Sequence, residues 1–214
     1  MGASEILRGA RSLVGKSRRR LVAVVAGSQS SVTGHRIALT YDDGPHPDVT
    51  PRLLDLLAMH GATATFFVIG EHVESHPELV QRAASEGHTI GAHSMRHPDF
   101  AKISTAAARQ DTVEVFDAIR RATAQRTMLY RPPHGHLTLR TALMLRRMGA
   151  QTWLWDVDSR DWRDTSTVDA IVDQAMLAAG GGVVLMHDTS DRTLEATRVL
   201  LERLSGAGVE FVGL

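Results

Sequence analysis

Among the 214 residues there is no cysteine. A disulfide framework, a thiolate metal site and a cysteine nucleophile are all excluded. Lysine is almost missing too: only Lys16 and Lys102 are lysine, and the other 22 basic side chains are arginine. Neither sign of charge prevails, because 24 Asp and Glu balance 24 Lys and Arg. That argues against a nucleic-acid binder held by a broad basic face. No apolar run approaches the ~20 residues needed to span a bilayer. Hydrophobic residues still make up 43% of the chain, enough for a core, so disorder is excluded as the main state. The length suits one domain, or one domain with a tail.

Residues 1–34 differ from the rest. Arg8, Arg11, Lys16, Arg18, Arg19 and Arg20 make them basic, and residues 27–34 read as a polar linker. The basic lead into 21–26 (LVAVVA) faintly resembles a signal peptide, but six apolar residues fall short of the ~7–15 of a normal hydrophobic region. A cytoplasmic rather than a secreted location is the expectation. The plainer readings of this segment are a helix or strand packed outside the domain, or a frayed tail; a basic segment binding a membrane surface is a further one. The expected division is a basic extension over 1–34 and a catalytic domain over 35–214.

From residue 35 apolar runs alternate with helical patterns. The runs are 36–41, 64–69, 89–93, 128–131, 151–157, 182–187 and 209–214. Helical patterns occupy 50–60, 77–86, 105–124, 139–148, 168–179 and 194–204, with Pro51 and Pro77 at first turns. Seven strands alternating with six helices predict an α/β domain with a parallel sheet, either closed as a barrel or open. No glycine-rich phosphate loop follows the first strand.

Eleven histidines are the most conspicuous excess. Several sit with aspartates just past the predicted strands, where parallel α/β folds build their sites. Asp42-Asp43 follows the first strand; adjacent carboxylates in extended chain point opposite ways and can take different roles. His93-x-x-x-His97 puts two imidazoles on one face if the segment makes a helical turn, and two histidines with a carboxylate form an open, catalytic metal site. Arg131-Pro-Pro-His134-Gly135 is a stiff loop able to aim an arginine at a carboxylate. Asp158, Asp161 and Trp162 follow the fifth run, Trp162 as a candidate ligand wall and Trp153 and Trp155 as core. His187, after a buried run, is a candidate acid or base. His35, His60, His72, His76 and His88 read as surface residues; His46 and His136 lie near the site without a required role.

Thr40-Tyr-Asp-Asp-Gly-Pro45, His93-Ser-Met-Arg-His97, Arg131-Pro-Pro-His-Gly135, Asp158-Ser-Arg-Asp-Trp162 and Leu185-Met-His-Asp188 resemble, in order, the five motifs of the polysaccharide deacetylases, the family-four carbohydrate esterases or NodB homology domain. The resemblance covers about residues 35 to 214. It implies a deformed (β/α) barrel of about seven parallel strands and one divalent metal ion, usually zinc, sometimes cobalt or another. It implies Asp43, His93 and His97 as metal ligands, Asp42 as general base held by Arg131, and His187 as acid tuned by Asp161. Trp162 and Leu185 would line the acetyl pocket, and the His134 N–H would face the oxyanion. Tyr41 stands where the family usually has phenylalanine, and His134 where it usually has tyrosine. The implied activity is removal of N-acetyl groups from N-acetylglucosamine units of an oligo- or polysaccharide, without nucleic-acid partners. An O-acetyl esterase on acetylated glycans, a hydrolase of a non-sugar amide and a non-enzymatic glycan-binding module are the competing readings.

Overall fold

The computed structural model describes residues 22–32, 34–204 and 208–214. The strands are β1 (Arg36–Asp42), β2 (Thr65–Val68), β3 (Thr89–Ala92), β4 (Leu129–Tyr130), β5 (Gln151–Thr152), β6 (Val157–Asp158), β7 (Gly182–His187) and β8 (Glu210–Phe211). The α-helices are α1 (Thr50–Met59), α2 (Gly70–Ser75), α3 (Pro77–Ser85), α4 (Thr105–Thr123), α5 (Leu139–Arg147), α6 (Val168–Ala175) and α7 (Asp191–Leu204). Residues 22–26 are also helical.

The sheet runs β5-β4-β3-β2-β1-β7-β6, and all its neighbours are parallel. Strand β8 pairs with β1 at Arg36 and Ile37, below the level where β2 begins its pairing at Thr40. The two outermost strands, β5 and β6, are consecutive in sequence. Only residues 153–156 separate them, and five Cα steps span at most ~18 Å. The sheet must therefore curl until its edges nearly meet. This is the deformed (β/α) barrel that the sequence implies.

Two apolar layers follow from strand alternation. Ile37, Leu39 and Tyr41 of β1 join the helices in the large outer core. Ala38 instead meets Phe67, Trp153 and Val183 in a small inner core, with Val212 and Leu214 packed against it. Gly91 makes room for that inner layer, since a Cβ there would lie 2.5 Å from the Phe67 ring. The inner column of β1 continues from Ala38 through Thr40 to Asp42, so the interior turns polar towards the strands' C-terminal ends.

One expected strand is corrected. Residues 151–157 are not a single strand but two short ones on opposite edges of the sheet. Between them the backbone has other partners. The Leu154 N–H donates to Gln29 O, and the carbonyls of Trp153 and Leu154 accept from the Arg131 guanidinium. Helix α2 was not expected, being a single short piece opened by Gly70. Val22 and Ala26 are buried against Ala142 of α5, and Gln29 bridges to Trp153, so residues 22–29 lie against the domain. Residues 1–21, which hold most of the expected basic extension, lie outside the described residues.

Candidate active site

The inner column brings chemistry to one end of the barrel. Register sets Asp42 level with His187 on β7, and His93 and Arg131 follow directly after β3 and β4. A cavity of about 440 Å³ opens there. Asp42, Asp43, His93, His97, His134, Trp162, Leu185 and His187 all line it, and Arg131 and Asp161 stand behind its walls.

The backbone reaches this arrangement through unusual conformations. Asp43, Ser94, His97, His134 and Arg160 have positive φ, and all lie in loops after β1, β3, β4 and β6. Such residues cost ~1–3 kcal/mol each and persist only where surroundings impose them. Two expectations change as a result. Asp43 is not extended (φ 73), so its carboxylate turns back into the same cavity as that of Asp42 instead of pointing away. The His93–His97 segment is not a helical turn but a bend. Asp111 of α4 accepts from the Met95 and Arg96 N–H groups, and the Ser94 hydroxyl accepts from the His97 N–H. The two imidazoles still meet, with ring centroids 5.0 Å apart.

Arg131 is fully buried, an expensive position for a guanidinium unless its donors are matched. They are. Nη1 donates to Asp42 Oδ1 and to Thr40 Oγ1, both at 2.7 Å, and Nη2 to Leu154 O at 3.0 Å. Its plane lies over Phe67 at 4.1 Å. Burial pushes the Asp42 carboxyl above its usual range, with the Arg131 charge pulling the other way. One oxygen of Asp42 is thus held, and the other, Oδ2, lies 3.7 Å from His93 Nε2.

On one wall Asp43 Oδ1 sits 3.4 Å from His93 Nε2 and 3.3 Å from His97 Nε2. Asp43 Oδ1 is buried and has no hydrogen-bond partner among the described residues. The His93 Nδ1 lies 2.8 Å from the Arg131 carbonyl, which can only accept, so Nδ1 carries the proton and Nε2 presents a lone pair. Burial, which outweighs the Asp43 charge, lowers the His93 pKa to about 3 and keeps the ring neutral. Lone pairs of a carboxylate and an imidazole facing each other repel unless a cation sits among them. This donor set fits a divalent metal ion with an open coordination position.

The opposite wall is arranged differently. His187 Nδ1 lies 2.8 Å from Asp161 Oδ1, and the His187 N–H and the Thr193 hydroxyl donate to Asp161 Oδ2 at 2.7 and 2.8 Å. Burial alone would lower the His187 pKa, but the Asp161 hydrogen bond and charge, with Asp42 and Asp43 facing it, push it up to about 9. Burial likewise raises Asp161, and the His187 contacts outweigh it and hold that carboxyl below its usual range.

The rim holds Trp162, 55% exposed, whose indole N–H donates to Asp158 Oδ1 at 3.3 Å. His134 is exposed and meets His97 edge-on at 4.6 Å; burial of its inner part lowers its pKa. The N–H groups of Gly135 and His136 turn to Pro132 O and Pro133 O, while that of His134 donates to no acceptor among the described residues. Gly135 is required on two counts, a φ of 63° and a Trp155 ring 2.8 Å from where a Cβ would be.

Several contributors escaped the sequence reading. Trp155, taken as core, lines the cavity beneath Arg131; His136, expected near the site, lines the cavity as well. Thr40 and Thr193 complete the polar contacts of Arg131 and Asp161, and nothing in a threonine's local sequence marks such a role. His72, taken as surface, is exposed but places Nδ1 2.8 Å from the Asp43 carbonyl. His88 is corrected from surface to buried: its Nδ1 accepts from the Ala64 N–H, and its ring meets Phe66 edge-on. Asp188 is buried too, pushed up to about 7 by desolvation, and accepts from the Thr50 hydroxyl while its Oδ1 has no hydrogen-bond partner among the described residues.

Comparison with known proteins gives a consistent result. The sequence profile of the polysaccharide deacetylase family matches residues 29–153. A chitooligosaccharide deacetylase of Rhizobium leguminosarum bv. trifolii is 37% identical over 172 residues, 80% of each chain. The peptidoglycan-N-acetylglucosamine deacetylase PgdA of Listeria monocytogenes is 38% identical over 182 residues, 84% of this chain but only 38% of that longer protein. The solved structure of the peptidoglycan deacetylase PdaC from Bacillus subtilis superposes with a TM-score of 0.79 at 34% identity, covering 85% of this chain and 89% of that one.

Proposed function

The chain belongs to the polysaccharide deacetylase family, and we propose that it hydrolyses the N-acetyl group of N-acetylglucosamine units in an oligo- or polysaccharide, using one divalent ion held by Asp43, His93 and His97. The observation that carries this reading is the buried, unpartnered Asp43 Oδ1 facing two imidazoles across a cavity from a charged histidine. When bound, such an ion polarises a carbonyl and makes a neighbouring water more acidic; zinc suits two histidines and one carboxylate.

The chain's own groups do the rest. Asp42 takes the proton of the attacking water at Oδ2, because its Oδ1 is held by the Arg131 guanidinium, which also donates to the Thr40 hydroxyl. Its raised pKa makes it a stronger base than a solvated carboxylate. The water oxygen bonds to the acetyl carbon, and the His134 N–H is the protein donor available to the developing oxyanion. His187, still protonated at neutral pH, gives its proton to the amide nitrogen as the C–N bond breaks. Acetate and a free amine leave. Asp161 then steadies the imidazole, and Trp162 and Leu185 bound the space for the acetyl methyl.

Acetate release from N-acetylglucosamine oligomers, with zinc or cobalt and with chelator, tests the reading. Release that depends on metal and disappears in Asp42→Asn is expected. Turnover of acetylated xylan alone would move the assignment to an ester substrate, and no release from any acetylated glycan would overturn it.

A further inference from the structure

The connection from β6 to α6 carries two residues of the site, Asp161 and Trp162, and they are held in different ways. The Asp161 carboxylate is buried and fixed by His187 and Thr193. Residues 162–165 are all exposed, so packing does not fix them. They stand on a ridge between two concavities. One is the active-site cavity, which Trp162 lines, and the other, of about 310 Å³, is lined in part by Arg160, Arg163, Thr165 and Ser166. The ridge's own hydrogen bonds are local. Asp158 Oδ1 accepts from the Arg160 N–H and the Trp162 indole, Arg160 O from the Arg163 N–H and the Ser166 hydroxyl, and Arg163 O from the Ser166 N–H. These bonds fold the ridge upon itself and its root at Asp158.

Among the described residues, the hydrogen bonds that join 162–166 to anything beyond 158–166 come from Arg192. Its Nη2 donates to Asp161 O at 3.0 Å and to Arg163 O at 3.1 Å, and its Nη1 to Asp164 O at 3.3 Å. Local rules do not favour an arginine there. Arg192 lies in the first turn of α7, where the helix dipole disfavours a cation. Its Nε is buried with no hydrogen-bond partner among the described residues, a further cost. Arg52, Arg82 and Arg198 each hold a carboxylate, whereas the Arg192 guanidinium gathers three carbonyls of one loop. A planar fork of donors suits that task, and the point charge of a lysine does not. The next residue, Thr193, holds the Asp161 carboxylate. The start of α7 thus secures the acid's partner with one side chain and the ridge backbone with another.

We propose that Arg192 is a positioning residue of the active site: by gathering the carbonyls of Asp161, Arg163 and Asp164 it holds Trp162 at the rim, and so governs how tightly the acetylated sugar unit is bound. The proposal rests on the activity proposed above. Arg192 acts through Trp162 and touches none of the reacting atoms.

The test compares Arg192→Ala, Arg192→Lys, Trp162→Ala and the double variant Arg192→Ala/Trp162→Ala, by acetate-release kinetics and by amide hydrogen exchange over residues 160–166. Arg192→Ala is expected to raise KM several-fold with little change in kcat, and to quicken exchange over the ridge. Arg192→Lys keeps the charge without the fork and is expected to raise KM as well. The double variant is expected to show the KM of Trp162→Ala, because two changes that act through one side chain do not add. Additive effects on KM would overturn the proposal. So would a wild-type KM in both Arg192 variants, even with a lowered Tm, since that is the mark of a purely structural role. Exchange is read without substrate, so it separates this proposal from the assigned activity. Unchanged exchange in Arg192→Ala overturns the proposal even where the wild-type protein releases acetate, and absence of release from the wild-type protein overturns the activity.

Discussion

His93 and His187 face one cavity from opposite walls, and the protein holds them in opposite states. Both are largely buried, and burial lowers the pKa of each. The difference lies in what Nδ1 meets. For His93 it is a backbone carbonyl, which carries no charge to offset burial, so the pKa falls to about 3. For His187 it is the carboxylate of Asp161, and the pKa rises to about 9. The neutral ring suits a metal ligand and the charged ring suits a proton donor. Identical side chains, one directly after a parallel strand and the other at the end of one, are thus held in different charge states, with the partner of Nδ1 as the main difference.

The comparison can be broken most severely on the ligand wall. Asp43→Ala removes the carboxylate between the two imidazoles, and stoichiometric metal binding, read by elemental analysis, is expected to vanish together with acetate release. Retention of one tightly bound ion would contradict the ligand set. On the other wall, Asp161→Asn leaves the geometry close to native but replaces the charge that sustains the imidazolium. Turnover is expected to fall by roughly 10²–10⁴, the usual contribution of general acid catalysis. The alkaline limb of the pH–rate profile is expected to move from near 9 towards 6.5.

Stability offers a gentler version of the same contrast. His187 keeps its proton in the folded protein up to about pH 9, whereas in the unfolded chain it releases it near 6.5. Its contribution, at most about 3 kcal/mol, is complete below pH 6.5 and is lost as pH rises through 9. Denaturation of the metal-free protein in that window is expected to show a decline that Asp161→Asn lacks. Parallel curves for the two proteins would show that the ion pair does not contribute. The smallest effect belongs to the rim. Trp162→Ala is expected to raise KM several-fold with little change in kcat, because it alters the wall of the cavity and not the groups that move protons.

Much of this site was legible in the sequence because its parts sit at the ends of strongly apolar runs. Asp42, His93, Arg131 and His187 end or follow strands whose burial is written in their composition, and a parallel sheet sends such ends to one face. The supporting backbone was less legible. The bend at 93–97 depends on Asp111, which is distant in sequence and belongs to a different helix. The division of residues 151–157 depends on Arg131 and Gln29 claiming backbone groups from afar. Periodicity reports which face of a segment is apolar; it does not report which backbone groups a remote side chain will take. His88 shows the same limit, since a histidine after a helix-ending glycine looks like a surface residue until Phe66 closes over it.

The opposed states of the two histidines can be observed directly by nitrogen-15 NMR of the imidazole side chains in the metal-free protein at neutral pH. The expected result is a His187 ring with both nitrogens protonated and a His93 ring protonated at Nδ1 alone. A neutral His187, or a doubly protonated His93, would contradict the division of labour between the two walls.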